Sequence, residues 1–132
     1  MDIDAAMKRI PPHSAEAEQA VLGAMLMNKE AVMVASEIIS GEDFYQTAYG
    51  ILFDAMVELF HKGKPIDLIT LQEHLKEKDV PPEVSSMEYA RDLLVGTQTS
   101  ANVKYYGEIV GDKATLRRLI KINEETANVC YL

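Results

Sequence analysis

The chain has 132 residues, the size of one ordinary domain, and its apolar content of 48% is that of a globular protein. No run approaches the roughly 20 apolar residues of a membrane-spanning helix, and the N-terminus lacks the apolar segment of a secretory signal. The single cysteine, Cys130, excludes an intrachain disulfide, so a reducing cytoplasmic location is the simplest interpretation. The net charge of −8 arises within residues 1–98, which makes this part a poor candidate for binding nucleic-acid phosphates.

Three helices are predicted in the first half of the chain. Ser14 is placed as the N-cap of a helix that runs to about Met27, and close helix packing would explain the interior Gly23. A second helix is predicted over residues 29–39, with Gly41 ending it as a C-terminal glycine. The longest uninterrupted apolar period covers residues 47–61 and predicts the central core helix.

Two short helices follow in the prediction. Thr70 and Glu73 fit a capping box that would open a helix to about Lys78. Residues 85–88 fit a second capping box, for a helix that Gly96 would end.

The C-terminal part is predicted to be a long helical arm. From residue 100 onward there is no proline, although Gly107 and Gly111 would permit a bend. No alternating strand pattern is found. We therefore expect an all-α fold with an extended lead-in over residues 1–12, a globular head of five helices over 13–98 and an arm over 99–132.

The residue patterns of known catalytic sites are lacking. Gly63-Lys64 is followed by proline, so it does not complete a phosphate-binding loop. The three histidines are not at metal-ligand spacing, and we expect them to be surface residues. The pairs at 42–43 and 124–125 are predicted to be solvated carboxylates and not acid–base pairs. We expect no cofactor, no metal and no enzymatic activity in this chain.

One basic cluster on the arm leaves two interpretations open. Lys113, Arg117 and Lys121 share a helical face, with Arg118 beside them, and they could contact nucleic acid. Because two glutamates follow at 124–125, a solvated charged face explains the cluster at least as well.

Six short segments suggest a family. The first is Arg9-Ile-Pro-Pro-His-Ser, which continues as Ala-Glu-Ala-Glu-Gln-Ala-Val-Leu-Gly-Ala, and the others occupy residues 42–45, 51–56, 63–71, 99–106 and 116–120. In this order they resemble the N-terminal domain of bacterial replicative DNA helicases of the DnaB type. The resemblance covers nearly all of residues 9–127. Pro81-Pro82, Ser85-Ser86 and the two arm glycines depart from the pattern.

The resemblance implies a role in DNA replication. The parent protein would be a hexameric ring, a trimer of dimers, that unwinds DNA with ATP and Mg²⁺ bound in a motor domain absent from this chain. The present domain would form the collar of that ring and meet DNA only through the parent ring. The implied partners are a second copy of the chain, primase and a helicase loader.

The resemblance and the apolar pattern of the arm together predict residues that contact a second copy of the chain or primase. The arm carries apolar residues on more faces than one head can bury, so we predict pairing across a two-fold axis through Ile109, Leu116, Leu119 and Ile120. The positions that match the primase-contact face of the family are Glu16, Tyr89 and Ile120.

Two other functions stay open at this level. The chain could be a stand-alone adaptor or loader with the same helical fold, which the lack of a downstream Walker A motif in the gene would indicate. It could also be a small helical enzyme, which a buried cluster of titratable groups or a bound metal would indicate.

Overall fold

The computed structural model describes residues 9–97 and 99–132, and this part of the chain is all-α, as predicted. It contains six α-helices, one 3-10 turn and no strand: α1 Ala15–Met27, α2 Lys29–Ile38, the 3-10 turn Gly41–Asp43, α3 Thr47–His61, α4 Leu68–Lys76, α5 Met87–Val95 and α6 Val103–Cys130. Within the described ranges, none of these helices is both long enough and apolar enough to cross a membrane.

The hydrophobic core lies where α1 meets α3. Each helix contributes three of its largest fully buried side chains, which are Val21, Leu22 and Met25 from α1 and Leu52, Phe53 and Met56 from α3. Helix α1 also contacts α2, α5 and α6, while α3 contacts α4 and the 3-10 turn. Full burial of one such side chain stabilises the fold by about 1.5–3 kcal/mol, so the head is held mainly by these two helices.

Two glycines allow close approach inside this core. A Cβ at Gly23 would lie 1.5 Å from Thr97 Oγ1, which confirms that close packing explains this glycine in α1. A Cβ at Gly50 would lie 2.4 Å from the carbonyl oxygen of Gly41, so α3 can touch the 3-10 turn only with glycine at this position.

The first three helices largely follow the sequence prediction. Ser14 is the N-cap of α1 and its Oγ accepts a hydrogen bond from the Ala17 N–H at 3.2 Å. The bounds of α3 agree with the predicted 47–61. The role predicted for Gly41 is wrong, because α2 ends at Ile38 and Gly41 begins the 3-10 turn without a positive φ. A Cβ at Gly41 would lie 2.4 Å from the Asp54 carboxylate, so space selects glycine there.

The start of α4 corrects the first predicted capping box. The N-cap is Asp67, three residues earlier than predicted, and its Oδ1 accepts from the Thr70 N–H at 2.8 Å. In return the Thr70 hydroxyl oxygen accepts from the Asp67 N–H at 3.0 Å. Thr70 is therefore the third residue of the helix, because an aspartate cap outcompetes the threonine placed inside the first turn.

The start of α5 is close to the second predicted box. Ser86 is the N-cap, and its Oγ accepts from the Tyr89 N–H at 3.4 Å. Gly96 follows the helix as its C-cap, with right-handed helical dihedrals.

The terminal helix α6 is continuous through Gly107 and Gly111, so the bend that these glycines would permit does not interrupt the helix. Its 28 residues span about 42 Å. Val103, Gly107, Val110 and Ala114 are buried, and α6 packs there on α1 and α2. From Arg118 to the C-terminus every residue is exposed, so the second half of the helix projects beyond the head.

Candidate interaction surface on the C-terminal helix

The four residues predicted to pair two copies of the chain lie on an exposed face of α6. Their exposed fractions are 40% for Ile109, 45% for Leu116, 50% for Leu119 and 44% for Ile120. At 3.6 residues per turn this set, called the outer face below, points away from the side of α6 that carries the buried Val110 and Ala114. One helix thus has two apolar sides, and the head covers only one of them.

The outer face has the chemistry of a helix-docking surface. It consists of branched aliphatic side chains at intervals of three, four and seven residues, which is the spacing that packs ridges into the grooves of another helix. Exposed aliphatic residues grouped on one side of a helix are a candidate interaction site. The structure does not contain the second copy, so pairing through these residues stays a prediction.

The three residues predicted to contact primase lie in two places. Glu16 is exposed on α1 and lines a shallow cleft with Asp92 of α5. Tyr89, on α5, packs its ring 6.0 Å from the ring of Tyr49. Ile120 is on the arm, beside a groove that the lead-in also lines. Glu16 and Tyr89 therefore belong to neighbouring helices of the head, while Ile120 belongs to the outer face.

The environment of Tyr89 is unusual for a surface tyrosine. The side chain is half-buried, and burial together with the neighbouring Tyr49 raises the pKa of Tyr89 to about 12. Tyr49 Oη in turn accepts a hydrogen bond from Gln19 Nε2 at 2.9 Å, which ties α3 to α1 one turn after Glu16. Tyr89 is thus held in place before any partner binds, and only part of its ring is available for contact.

Glu18 is a buried carboxylate whose burial was not predicted from the sequence. Glu18 is 1% exposed, and its two carboxylate oxygens accept from the backbone N–H groups of Tyr45 and Gln46 at 2.9 and 3.2 Å. A signal was available, because Glu18 occupies a position on the apolar stripe with Leu22 and Met25. A glutamate at such a position needs buried donors, which the loop supplies.

The predicted solvated pair at 42–43 is wrong for Asp43. This residue is 8% exposed, and its carboxylate forms an ion pair with Arg118 and accepts from the Ser40 N–H at 2.9 Å. Glu42 is exposed as predicted, and so are Glu124 and Glu125.

The basic cluster is divided by the structure. Arg117 donates to the carbonyl oxygens of Pro12 and Asp43 at 2.8 and 2.6 Å, and Arg118 pairs with Asp43. Lys121 is exposed and Lys113 is half-buried. Two of the four cations thus serve contacts within the chain, which favours a structural role for them over contact with nucleic acid.

The prediction of three surface histidines is wrong for His74. It is 6% exposed, and its Nε2 lies 2.7 Å from Glu58 Oε2, while Lys78 contacts the same carboxylate. Hydrogen bonding from Lys78 is the main cause that holds the pKa of Glu58 below its usual value. Among the residues described, no group of three or more His, Cys, Asp or Glu side chains is arranged to hold a metal ion.

The fold and its uncovered helix define a class: an all-helical domain whose exposed apolar arm is suited to association with other proteins. The family comparison makes the assignment specific, because residues 10–112 match the model of the DnaB-like helicase N terminal domain. The chain belongs to this family.

Characterised relatives support the same family. The chain is 44% identical over 124 residues to the replicative DNA helicase DnaB of Geobacillus stearothermophilus, which covers 94% of this chain and 27% of the relative. It is 41% identical over 113 residues to the replicative DNA helicase DnaC of Bacillus subtilis, which covers 86% and 25%. The chain therefore spans about a quarter of the length of these relatives.

Solved structures agree with the helical architecture. The N-terminal domain of the DnaB helicase from Mycobacterium tuberculosis superimposes with a TM-score of 0.88 at 34% identity, over 92% of this chain and 87% of that one. The N-terminal domain of the Helicobacter pylori DnaB helicase, a structure described with its interactions with primase, gives a TM-score of 0.76 at 17% identity over the whole of both chains. At that identity the second comparison supports the fold alone.

Proposed function

We propose that this chain is the N-terminal collar domain of a replicative DNA helicase, and that it pairs copies of the parent protein and docks primase. The parent would be a cytoplasmic hexameric ring that unwinds DNA with ATP and Mg²⁺ in a motor domain outside this chain, and a helicase loader would act on the ring. Family membership and the quarter-length coverage of the helicases support the placement within a longer protein.

The observation that carries the pairing proposal is the outer face of α6. Four aliphatic side chains, each at least 40% exposed, lie opposite the side of the helix that the head covers. A second arm packed antiparallel across a two-fold axis would remove them from water, with the same residues contributed by both copies. Burial of apolar area would then stabilise the dimer by roughly 25 cal/mol per Å² before the entropic cost of association.

Sedimentation of the chain over a range of concentrations tests pairing. We expect a reversible dimer whose dissociation constant rises about tenfold or more in Leu116→Asp, since this charge would lie within the core of the interface. Ile122→Asp is a matched control, because Ile122 is 57% exposed on a different side of the same helix. A strictly monomeric wild-type chain at high micromolar concentration would contradict the proposal.

Primase docking is proposed because the chain belongs to the DnaB N-terminal domain family, one member of which, the H. pylori domain, is described with its interactions with primase, and because Tyr89 is partly open. We expect Tyr89→Ala and Ile120→Ala each to weaken binding of the cognate primase C-terminal domain in a calorimetric titration. Tyr89→Phe is the control, since it keeps the ring against Tyr49 and removes only the hydroxyl. Unchanged affinity in a folded Tyr89→Ala variant would remove this residue from the docking surface.

A further inference from the structure

Three segments that are distant in sequence meet where the arm leaves the head. They are the lead-in over residues 9–14, the loop over residues 40–46 and the middle of α6. Each of the three overlaps a segment on which the family resemblance rests. The group is called the arm-root cluster below, and its members are Pro12, His13, Asp43, Tyr45, Arg117 and Arg118.

Arg117 connects all three segments. Its Nη1 donates to the carbonyl oxygen of Pro12 at 2.8 Å, and its Nη2 donates to the carbonyl oxygen of Asp43 at 2.6 Å. These are charge-assisted hydrogen bonds, and the rigid fork of the guanidinium lets one side chain hold two carbonyls at once. A lysine at this position would offer a single point charge in place of the fork.

The loop is fixed from the opposite side by α1. The buried Glu18 accepts hydrogen bonds from the N–H groups of Tyr45 and Gln46. A shift of the loop backbone would break these bonds and leave the buried carboxylate without donors, which is costly. This places the Tyr45 ring between two partners. The His13 ring stacks on it at 4.0 Å with an interplanar angle of 16°, and the Arg117 guanidinium lies 5.7 Å from its centroid.

The arm-root cluster lies where the buried stripe of α6 ends. The head-facing stripe of α6 runs through Val103, Gly107, Val110 and Ala114, and the next step of the same spacing is Arg117. Arg117 is half-buried, whereas every residue after it is exposed. Arg117 therefore lies at the point where the helix leaves the head.

We infer that Arg117 is a positioning residue that fixes the direction of the projecting arm, with the lead-in acting as a strap over the arm root. Residues 9–14 precede α1 and form no helix, and the Pro12 carbonyl joins them to α6 through Arg117. The ion pair between Arg118 of α6 and Asp43 of the loop is a second link between the arm and the head.

A consequence that rests on the proposed function concerns pairing. The outer face begins before Arg117, at Ile109, and continues beyond it to Ile120. If the arm direction varied, two copies would meet with variable registers, and part of the interaction free energy would be lost to ordering the arms. A fixed arm presents the same outer face in every copy.

The single cysteine allows a direct test. Cys130 is exposed near the end of α6, so a spin label there reports the position of the arm tip. A second label at Glu37→Cys, an exposed position on α2, reports the head. Double electron–electron resonance, with the doubly labelled chain diluted in unlabelled protein, measures the distance distribution between the two within one molecule.

In the otherwise unsubstituted chain we expect one narrow distance peak. Arg117→Ala should lose that peak and give a broad distribution, while Arg117→Lys should give an intermediate width. The control is Lys121→Ala, which removes the same charge one turn later at an exposed position. A chain that lacks residues 1–12 should also broaden the peak, and it serves if Arg117→Ala fails to fold by circular dichroism. A peak that stays narrow in a folded Arg117→Ala variant would overturn the inference.

Sedimentation of the same variants separates this inference from the proposed function. If the wild-type chain dimerises, Arg117→Ala should weaken the dimer about tenfold, because part of the interaction free energy is then spent on ordering the arms. If the wild-type chain does not dimerise but Arg117→Ala still broadens the peak, the positioning role stands and the pairing proposal fails. Unchanged dimer affinity together with an unchanged distance distribution would overturn the positioning role.

Discussion

The two halves of α6 form one continuous helix but are stabilised by different means. Residues 103–114 present a buried stripe to α1 and α2, and the tertiary contacts of the head hold them helical. Residues 119–130 are exposed on every side. An isolated helix of about 12 residues is marginal in water, so the far half draws its order from the near half and from any partner that covers it. Helical geometry alone therefore does not indicate where the stability of a helix originates.

The largest expected effect comes from breaking the packed half. Val110 is 1% exposed, and Val110→Asp would place a carboxylate without a partner against the head. We expect a loss of about 3 kcal/mol or more in the free energy of unfolding, measured by urea denaturation at low protein concentration. A loss below 1 kcal/mol would mean that the near half is not held by the head as described.

A smaller change, an increase in the free energy of unfolding, is expected when Gly107 of the packed half is replaced. A Cβ at Gly107 would meet Ile38 at 3.7 Å, an ordinary contact, so the helix gains propensity without a clash. Gly107→Ala should stabilise the chain by about 0.5–1 kcal/mol in thermal unfolding. Gly23→Ala is the contrasting control, since its Cβ would overlap Thr97 and should destabilise the chain.

The acid dependence of stability should come from the head and not from the projecting half of the arm. Lys78 lowers the pKa of Glu58 in the folded state, so this carboxylate stabilises the fold above its unfolded pKa and loses that contribution as pH falls through the folded pKa. Glu58→Gln should destabilise the chain by about 1 kcal/mol or less at pH 7, because the side chain is 40% exposed and water screens the pair.

The control for this pH dependence is the measurement at low pH. The difference between wild type and Glu58→Gln in urea denaturation should shrink toward zero below the folded pKa of Glu58. A difference that stays constant between pH 7 and pH 3 would show that packing, and not charge, explains the effect.

The smallest expected effect lies in the projecting half. Ile122 and Val129 are 57% and 68% exposed, so the double substitution Ile122→Ala and Val129→Ala removes no packed side chain. The free energy of unfolding of the monomer should change by less than about 0.5 kcal/mol. Hydrogen exchange should show weak protection over residues 119–130 in the monomer and increased protection on dimerisation. Strong protection in the monomer would remove the distinction between the two halves.

The sequence predicted the helices better than the contacts of its polar residues. Periodicity sufficed for α3, because all its apolar positions face one core, whereas for α6 it left open whether Gly107 and Gly111 bend the arm. It misplaced the start of α4, since two overlapping caps, Asp67 and Thr70, compete within three residues. It also treated Asp43 and His74 as surface residues, because their partners, Arg118 and Glu58, are 75 and 16 residues away. Partners at such separations become visible only once the helices are packed.

Physical reasoning predicted only one of the two contact surfaces, since the primase positions came from the family resemblance. The outer face follows from an excess of apolar residues on the arm, and its members are exposed. The role of Arg117 was missed, although it continues the 103–107–110–114 spacing and so occupies a head-facing position. A cation at the end of an apolar stripe is a usable signal, because it requires acceptors on the surface where the stripe ends.

The buried Glu18 has a consequence for cooperativity. Its carboxylate joins α1 to a loop that follows 27 residues later. If the loop opened alone, it would leave a buried carboxyl group without its two donors, and if α1 undocked alone, two amides would lose their acceptor. Neither element can open by itself at low cost, so opening of the loop is coupled to undocking of α1. The hydrogen-exchange rates of the Tyr45 and Gln46 amides should consequently be about as slow as those of the most protected amides of α1.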